Sequence, residues 1–291
     1  MPCLLIAGCG YLGQAVADLF VDDGWEVQGW TMSAESAANL SGKAYSVRAV
    51  DISNADQVRA QKGEFDAMIH CASTRGGDAD LYRRVYLNGA RNLLERFRNS
   101  RMFFVSSTSV YPQTNGEWVT EESPAKPKHE TGRVLRDAED LVLAKPGVVL
   151  RLGGIYGPGR SALLRKFLTG DATVDSQKDR FVNQIHRDDA AIAIQLLLKR
   201  QDVVSETYNL VDNQPILLSE CYRWLAAKLN RPDPPNGTSI SKRKRGESNK
   251  RVSNAKLRAT GWTLRHPTFA DGMEKSVLEA LSREGAQTDS R

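Results

Sequence analysis

Apolar residues follow two rhythms along the first half of the chain. The run from Cys3 to Ala7 is unbroken and stops at Gly8, as expected of a strand buried on both faces of a sheet. Leu12, Ala15, Val16, Leu19 and Phe20 then recur at helical spacing between Tyr11 and Val21, and Asp22-Asp23-Gly24 ends that helix. Trp25 to Trp30, Tyr45 to Val50 and Asp66 to Cys71 read as the next three strands. Leu81, Val85, Ala90, Leu93, Leu94 and Phe97 mark a long helix, and Met102 to Val105 reads as the fifth strand. A helix from about Arg133 to Leu143 leads into a sixth strand, Val148 to Leu152. Strands separated by helices predict an α/β fold with a doubly wound parallel sheet.

The second half is less regular. Helices are expected at Arg160 to Thr169, Asp188 to Arg200, Leu218 to Leu229, Asn254 to Ala259 and Thr268 to Leu281, with a strand at Thr207 to Val211. Arg231 to Lys250 is rich in Pro, Gly, Ser and charge and reads as a surface loop. The expected division is discontinuous. Residues 1–152 and 183–211 form the sheet domain, and residues 153–182 and 212–291 form a smaller substrate lobe.

Charge and cysteine content narrow the partners. Lys and Arg outnumber Asp and Glu by 40 to 35, an excess too small for a dedicated nucleic-acid binder but compatible with a small anionic substrate. The four cysteines are scattered and form no C-x-x-C pair, which argues against a zinc knuckle or a disulfide framework. No apolar run is long enough to span a bilayer, and the first residues show no basic leader. The expectation is a cytoplasmic protein, monomer or homodimer, with no membrane partner.

Gly8-Cys9-Gly10-Tyr11-Leu12-Gly13 directly follows the first strand and opens a helix, the context in which G-x-G-x-x-G marks a dinucleotide-binding Rossmann turn. Gly8 allows the tight turn, Gly10 the approach of a pyrophosphate, and Gly13 the close packing of helix on strand. Tyr11 and Leu12 begin the helix whose N-terminus faces the phosphates. NAD would call for an acidic residue at the end of the second strand. The chain has Thr31-Met32-Ser33 there, with Glu35 only at the start of the next helix. The hydroxyls of Thr31 and Ser33 are candidate partners for a 2′-phosphate, so NADP is preferred over NAD.

Further pieces in order extend the pattern: Asp51-Ile52, Ile69-His70-Cys71-Ala72, Asn88-Gly89-Ala90-Arg91-Asn92-Leu93-Leu94, Val105-Ser106-Ser107-Thr108-Ser109-Val110-Tyr111, Arg151-Leu152-Gly153-Gly154-Ile155-Tyr156-Gly157-Pro158-Gly159 and Asn183-Gln184-Ile185-His186-Arg187-Asp188-Asp189. With these the chain resembles the atypical and extended short-chain dehydrogenase/reductases of the NAD-dependent epimerase/dehydratase type. The resemblance implies that Asp51 and Ile52 lie by the adenine, that Cys71, Ala72 and Ser73 lie beside the nicotinamide half, and that Asn88 belongs to the cofactor shell. It also implies that Ser107 is the catalytic hydroxyl, with Thr108 beside the substrate.

The same resemblance exposes a departure. The family's Tyr-x-x-x-Lys pair falls on Thr131 and Leu135, which supply neither a phenol nor a charge. His129, Tyr111 and Tyr156 are the candidates left for acid–base work, and Thr131 stays a candidate catalytic residue by its place. Lys126, Pro127 and Lys128 around His129 favour an exposed loop, and tyrosines at positions 111 and 156 commonly pack as walls. His186-Arg187-Asp188-Asp189 reads as a helix start and not a metal site. Lys242 to Arg245 and Lys250-Arg251 form a basic stretch. No aromatic residues interleave to make it a nucleic-acid patch, whereas Arg251 or Lys250 is a candidate for a substrate anion. The leading expectation is an NAD(P)-dependent oxidoreductase acting on an unknown substrate that is small or nucleotide-linked. The competing one is a non-catalytic NAD(P)-binding or redox-sensing protein.

Overall fold

A computed structural model describes residues 1–74, 76–175, 177–237 and 248–288. In chain order the elements are β1 (Cys3–Ala7), α1 (Tyr11–Asp22), β2 (Glu26–Thr31), α2 (Ala34–Ala38), β3 (Ser46–Ala49), α3 (Ala55–Arg59) and β4 (Ala67–His70). Then come α4 (Ala79–Tyr82), a π-helical turn (Arg83–Asn88), α5 (Gly89–Arg96), β5 (Arg101–Ser107), a 3₁₀ turn (Thr108–Val110), β6 (Glu117–Val119), α6 (Glu130–Leu143) and β7 (Val148–Leu152). They are followed by β8 (Gly154–Tyr156), α7 (Ala162–Leu168), β9 (Phe181–Val182), β10 (Gln184–His186), α8 (Arg187–Lys199), β11 (Glu206–Leu210), β12 (Ile216–Leu217) and α9 (Leu218–Lys228). The chain closes with β13 (Lys250–Val252), α10 (Ala255–Arg258), α11 (Phe269–Gly272), a second π-helical turn (Met273–Leu278) and α12 (Glu279–Thr288).

Seven strands form one sheet in the order β11-β7-β5-β4-β1-β2-β3. Parallel pairing joins β3 to β2, β2 to β1, β1 to β4, β4 to β5 and β5 to β7. The order reverses between β1 and β4, so the carboxyl ends of those strands open the crevice where a doubly wound sheet binds its ligand. Leu4, Leu5 and Ile6 of β1, Met68 and Ile69 of β4 and Phe103 and Phe104 of β5 are fully buried. That explains their unbroken apolar runs, because helices cover both faces of the sheet.

Two compact units emerge: Met1–Pro112, Pro124–Leu152 and Ala190–Tyr208 form one, and Gln113–Ser123, Gly153–Asp189 and Asn209–Arg291 form the other. The boundaries depart from the sequence-based division at three places, the smallest being residues 209–211, which fall in the second unit. Residues 183–189 belong with the second unit, where β10 pairs with β8, and residues 113–123 join it because β6 pairs with β13. The second unit buries Tyr156, Phe167, Leu225, Phe269 and Met273 in its own core. The surface loop expected up to Lys250 ends earlier, since Lys250 already opens β13, and Lys242 to Arg245 lie outside the described residues.

Candidate functional site

The glycine turn is built by steric necessity. Gly8 has φ +101, and a side chain there would overlap the Ala72 amide. A Cβ on Gly13 would come within 2.6 Å of the Gly8 carbonyl oxygen and 3.0 Å of Ile6. Gly10 is the opposite case: a Cβ there would meet nothing nearer than the Gly8 oxygen at 4.0 Å. The turn is tied to β2, because the amides of Gly8 and Cys9 both donate to the Trp30 carbonyl, at 3.0 and 2.8 Å. Gly10 caps α1 without a side-chain hydrogen bond, and the first turn, which contains Tyr11 and Leu12, holds no acidic residue. The outcome is a twelve-residue helix whose positive end meets open space over a close-packed turn, which fits a dinucleotide pyrophosphate.

The end of β2 corrects the assignment of hydroxyls to a 2′-phosphate. Thr31 donates its hydroxyl to the Ser33 carbonyl at 3.2 Å. Ser33 accepts the Ser36 amide as the N-cap of α2 and donates to the Ser36 hydroxyl at 3.0 Å. Both protons are therefore committed to the local turn. Met32 between them is 78% exposed.

Asp51 follows β3 and accepts the Ser53 amide at 2.9 Å, while Ile52 is buried and the Asn92 side chain donates to its carbonyl. Asn88 ends the π-helical turn and accepts from Arg91 at 3.1 Å. Beyond β4, the Cys71 thiol donates to the Gly8 carbonyl at 3.1 Å, so this side chain braces the glycine turn and is not presented to a nicotinamide. Burial pushes that thiol well above its ordinary pKa, which suits a packed neutral group. Ala72 donates its amide to the Ala7 carbonyl, and Ser73 is exposed and accepts from the Tyr86 hydroxyl at 3.4 Å. In β4 itself, burial lowers His70 to about pKa 4, a neutral ring holding the Val85 carbonyl.

Ser107 ends β5 and accepts the Ser109 amide at 3.2 Å, which fixes its oxygen at the carboxyl edge of the sheet. Thr108 is buried in the 3₁₀ turn. Helix α6 packs against that turn and against β5. Thr131 lies in its first turn, Leu135 is 2% exposed, and His129 is an exposed N-cap residue outside the helix. Among the described residues, three buried hydroxyl oxygens have no hydrogen-bond partner: Thr74 beyond β4, Ser109 beyond β5 and Thr131 on α6. Buried hydroxyls of this kind call for a partner, which a water molecule or a ligand can supply. The motif reading included Thr131 but passed over Thr74 and Ser109. The signal for Ser109 lay in the serine run itself, and for Thr74 in its place just after Cys71-Ala72-Ser73.

Tyr111 must be corrected from candidate acid to structural residue. It is 1% exposed, and its hydroxyl oxygen accepts from Arg151 at 2.9 Å. Arg151 donates to Glu139 of α6 through Nε and a terminal nitrogen, the latter at 2.7 Å, and Ser106 donates to Glu139 at 2.5 Å. Burial works against the Arg151 charge, but Glu139 and Tyr111 more than offset it and hold the guanidinium more firmly protonated than usual. This buried network joins β5, α6 and β7 directly behind Ser107.

In the second unit Tyr156 is likewise structural. It is 1% exposed, its ring packs edge-on against His186, and burial raises its pKa far above that of an ordinary phenol. His186, Asp189 and His266 bring three ligand-type atoms within 4.8 Å of one another. Asp189, however, already accepts the Arg265 and His266 amides and the His266 ring, at 2.6, 2.9 and 3.0 Å. Three donors thus hold its carboxylate, and they tie the segment around residue 265 to the start of α8. Lys250 is 2% exposed, donates to Ser248 at 2.6 Å, and burial lowers its pKa to about 8. Arg251 donates its Nε to the Gly116 carbonyl at 2.7 Å. Among the described residues no helix is long and apolar enough to cross a membrane.

Comparison with known proteins agrees with this geometry. Residues 4–210 match the model of the NAD dependent epimerase/dehydratase family. Protein YeeZ of Escherichia coli strain K12 is 33% identical over 210 residues, covering 68% of this chain and 74% of that protein. A structure from Methylobacillus flagellatus, named for the NAD-dependent epimerase/dehydratases, superposes with a TM-score of 0.77 at 29% identity over 97% of this chain and 99% of that one. A short-chain dehydrogenase/reductase superfamily protein from Agrobacterium tumefaciens with bound NAD gives 0.79 at 19% identity, covering 99% and 100%. UDP-glucose 4-epimerase of Thermus thermophilus in complex with NAD gives 0.80 at 20% identity, covering 97% and 99%; these last two bear on the fold alone. With its glycine turn, strand order and matched length, the chain belongs to the NAD dependent epimerase/dehydratase family.

Proposed function

We propose that this protein is an NAD(P)-dependent oxidoreductase of atypical short-chain type that acts on an alcohol or carbonyl carbon of a small molecule. The observation that carries this reading is the open, uncapped N-terminus of α1 above the close-packed glycine turn. The backbone amides there hold the pyrophosphate. Asp51 and Ile52 line the adenosine side, and Ala72, Ser73 and Asn88 the nicotinamide side. When bound, the nicotinamide supplies the hydride donor or acceptor. NADP remains the preferred form on charge alone, because no carboxylate ends β2 to repel a 2′-phosphate.

Ser107 orients the substrate oxygen from the end of β5, with Thr108 beside it. Thr131, Ser109 and Thr74 offer the unpaired hydroxyls that complete the shell. These alcohols do not ionise near neutral pH, so they position and relay hydrogen bonds, and the proton is exchanged with water. His129 stands exposed just ahead of α6.

A non-catalytic, redox-sensing role is the second reading, favoured by one observation: the lysine position of the family is occupied by buried Leu135. A titration with NADPH and NADH followed by assay of Ser107→Ala separates the two. The enzyme reading expects turnover that falls at least about a hundredfold in Ser107→Ala with dinucleotide affinity unchanged. Tight binding with no turnover on any alcohol or carbonyl substrate assigns the sensor. Absence of binding at millimolar dinucleotide overturns both.

A further inference from the structure

Helix α4, the π-helical turn after it and α5 form one continuous helix, since Tyr82 and Gly89 on either side of the turn both keep helical dihedrals. The turn is wider than an α-helical one. The Gly89 amide bonds the Arg84 carbonyl, five residues back, and passes over Val85, its ordinary α-helical partner. His70 takes up the carbonyl that is passed over: its Nε2 donates to Val85 at 3.1 Å from the end of β4. A carbonyl only accepts, so this bond places the ring proton on Nε2. The ring is fully buried, edge-on to Phe104 at 5.2 Å and parallel to Tyr86 at 6.3 Å. Gly89 lets the helix come this close. A Cβ there would lie 2.9 Å from the Ile52 side chain and 3.3 Å from His70 Nε2.

One inserted residue turns everything beyond it by roughly 100° relative to an unbroken α-helix. The two sides of the insertion meet different partners. Within the turn, the Tyr86 hydroxyl donates to Ser73 at 3.4 Å. Beyond it, Asn92 donates to the Ile52 carbonyl at 2.9 Å. An unbroken α-helix over residues 79–96 would present one of these two side chains correctly and swing the other away. We infer that His70 is a positioning residue for the dinucleotide. By holding the Val85 carbonyl it keeps the wide turn in the helix, which seats Tyr86 on Ser73 and Asn92 on Ile52 at once. Without that donor the carbonyl loses its partner, and return to α-helical bonding becomes the favoured way to satisfy it. His70 acts through the helix and needs no contact with the cofactor. This role rests on the dinucleotide reading, in which Ser73 lines the nicotinamide side and Ile52 the adenosine side.

His70→Gln and His70→Met test it as a matched pair. Both side chains are similar in length and leave a similar gap where the ring packed, but only glutamine keeps an N–H donor. In the free full chain, hydrogen exchange over residues 84–92 should stay slow in His70→Gln and quicken at least about tenfold in His70→Met. Titration with NADPH and NADH should place His70→Gln within about threefold of the wild type and His70→Met at least about tenfold weaker. Equal exchange or equal affinity in the two variants overturns the inference, because packing and not the donor then decides. Gly89→Ala approaches from the helix side with His70 intact and should also weaken the dinucleotide about tenfold. It settles the matter if neither His70 variant folds, and undiminished affinity there overturns the inference too. A wild type that protects the turn yet binds neither dinucleotide overturns the function reading and this role with it. Full binding by His70→Met overturns this role alone.

Discussion

The glycine turn and the start of α6 belong to the same unit, yet they differ in what they retain. The turn keeps every element that dinucleotide binding demands: a left-handed Gly8, a crowded Gly13, an open Gly10 and an uncapped helix. Helix α6 carries no tyrosine and no lysine. On the sequence-based alignment with the family pattern, Thr131 takes the tyrosine place and Leu135 the lysine place, and Leu135 is folded into the core at 2% exposure. The contrast teaches that cofactor binding rests on backbone shape, whereas proton transfer rests on two side chains that substitution removes without disturbing a helix. Behind both, the Ser106–Glu139–Arg151–Tyr111 network holds β5, α6 and β7 in register.

The largest effect is expected at that network. Glu139→Ala strands the buried Arg151 charge and should cost about 3–5 kcal/mol in urea unfolding. A loss below about 1 kcal/mol would show that the strand end carrying Ser107 is held by other means. Leu135→Lys comes next: an ammonium at a 2% exposed position should cost about 3 kcal/mol or more. Unchanged stability would mean that the position still opens to the crevice, as in the family pattern.

Acid probes both units together. Burial lowers His70, in the first unit, and His186, in the second, to about pKa 4 in the folded state, against 6.5 for a free imidazole. Each therefore binds its proton more readily when unfolded. The stability each supports is complete above pH 6.5 and declines as pH falls towards 4, by about 1.4 kcal/mol per pH unit. Urea midpoints measured from pH 7 to 4 should fall accordingly, and His70→Gln should flatten the curve.

Gly10→Ala sharpens the comparison directly. The added methyl meets no protein atom nearer than 4.0 Å, so the melting temperature should hold while dinucleotide affinity falls about tenfold or more. The smallest effect is expected at Lys228→Ala. This removes an exposed ion pair with Glu274 and should cost less than about 1 kcal/mol.

The central sheet was legible because buried parallel strands leave unbroken apolar runs, and each run here ends at a turn residue or a helix. β1 to β5 and β7 were all visible in this way. β6, β8, β9, β10, β12 and β13 were not, since two or three residues carry no periodicity. Their pairings moved residues 113–123 and 183–189 into the second unit.

By itself the sequence determined the sheet, the glycine turn and the absence of any Tyr-x-x-x-Lys, all of which are encoded in local spacing and residue type. Only the tertiary structure decided which polar side chains are already spent. Thr31, Ser33, Cys71, Tyr111 and Tyr156 looked available in the motif. They are turned to neighbouring backbone groups, to Arg151 or into the core of the second unit. Among the described residues, Thr74, Ser109 and Thr131 are the hydroxyls left unsatisfied. A hydroxyl has the same chemistry wherever it stands in the chain. Whether it serves a ligand depends on which donors and acceptors the fold brings within about 3 Å, and those come from segments far away in sequence.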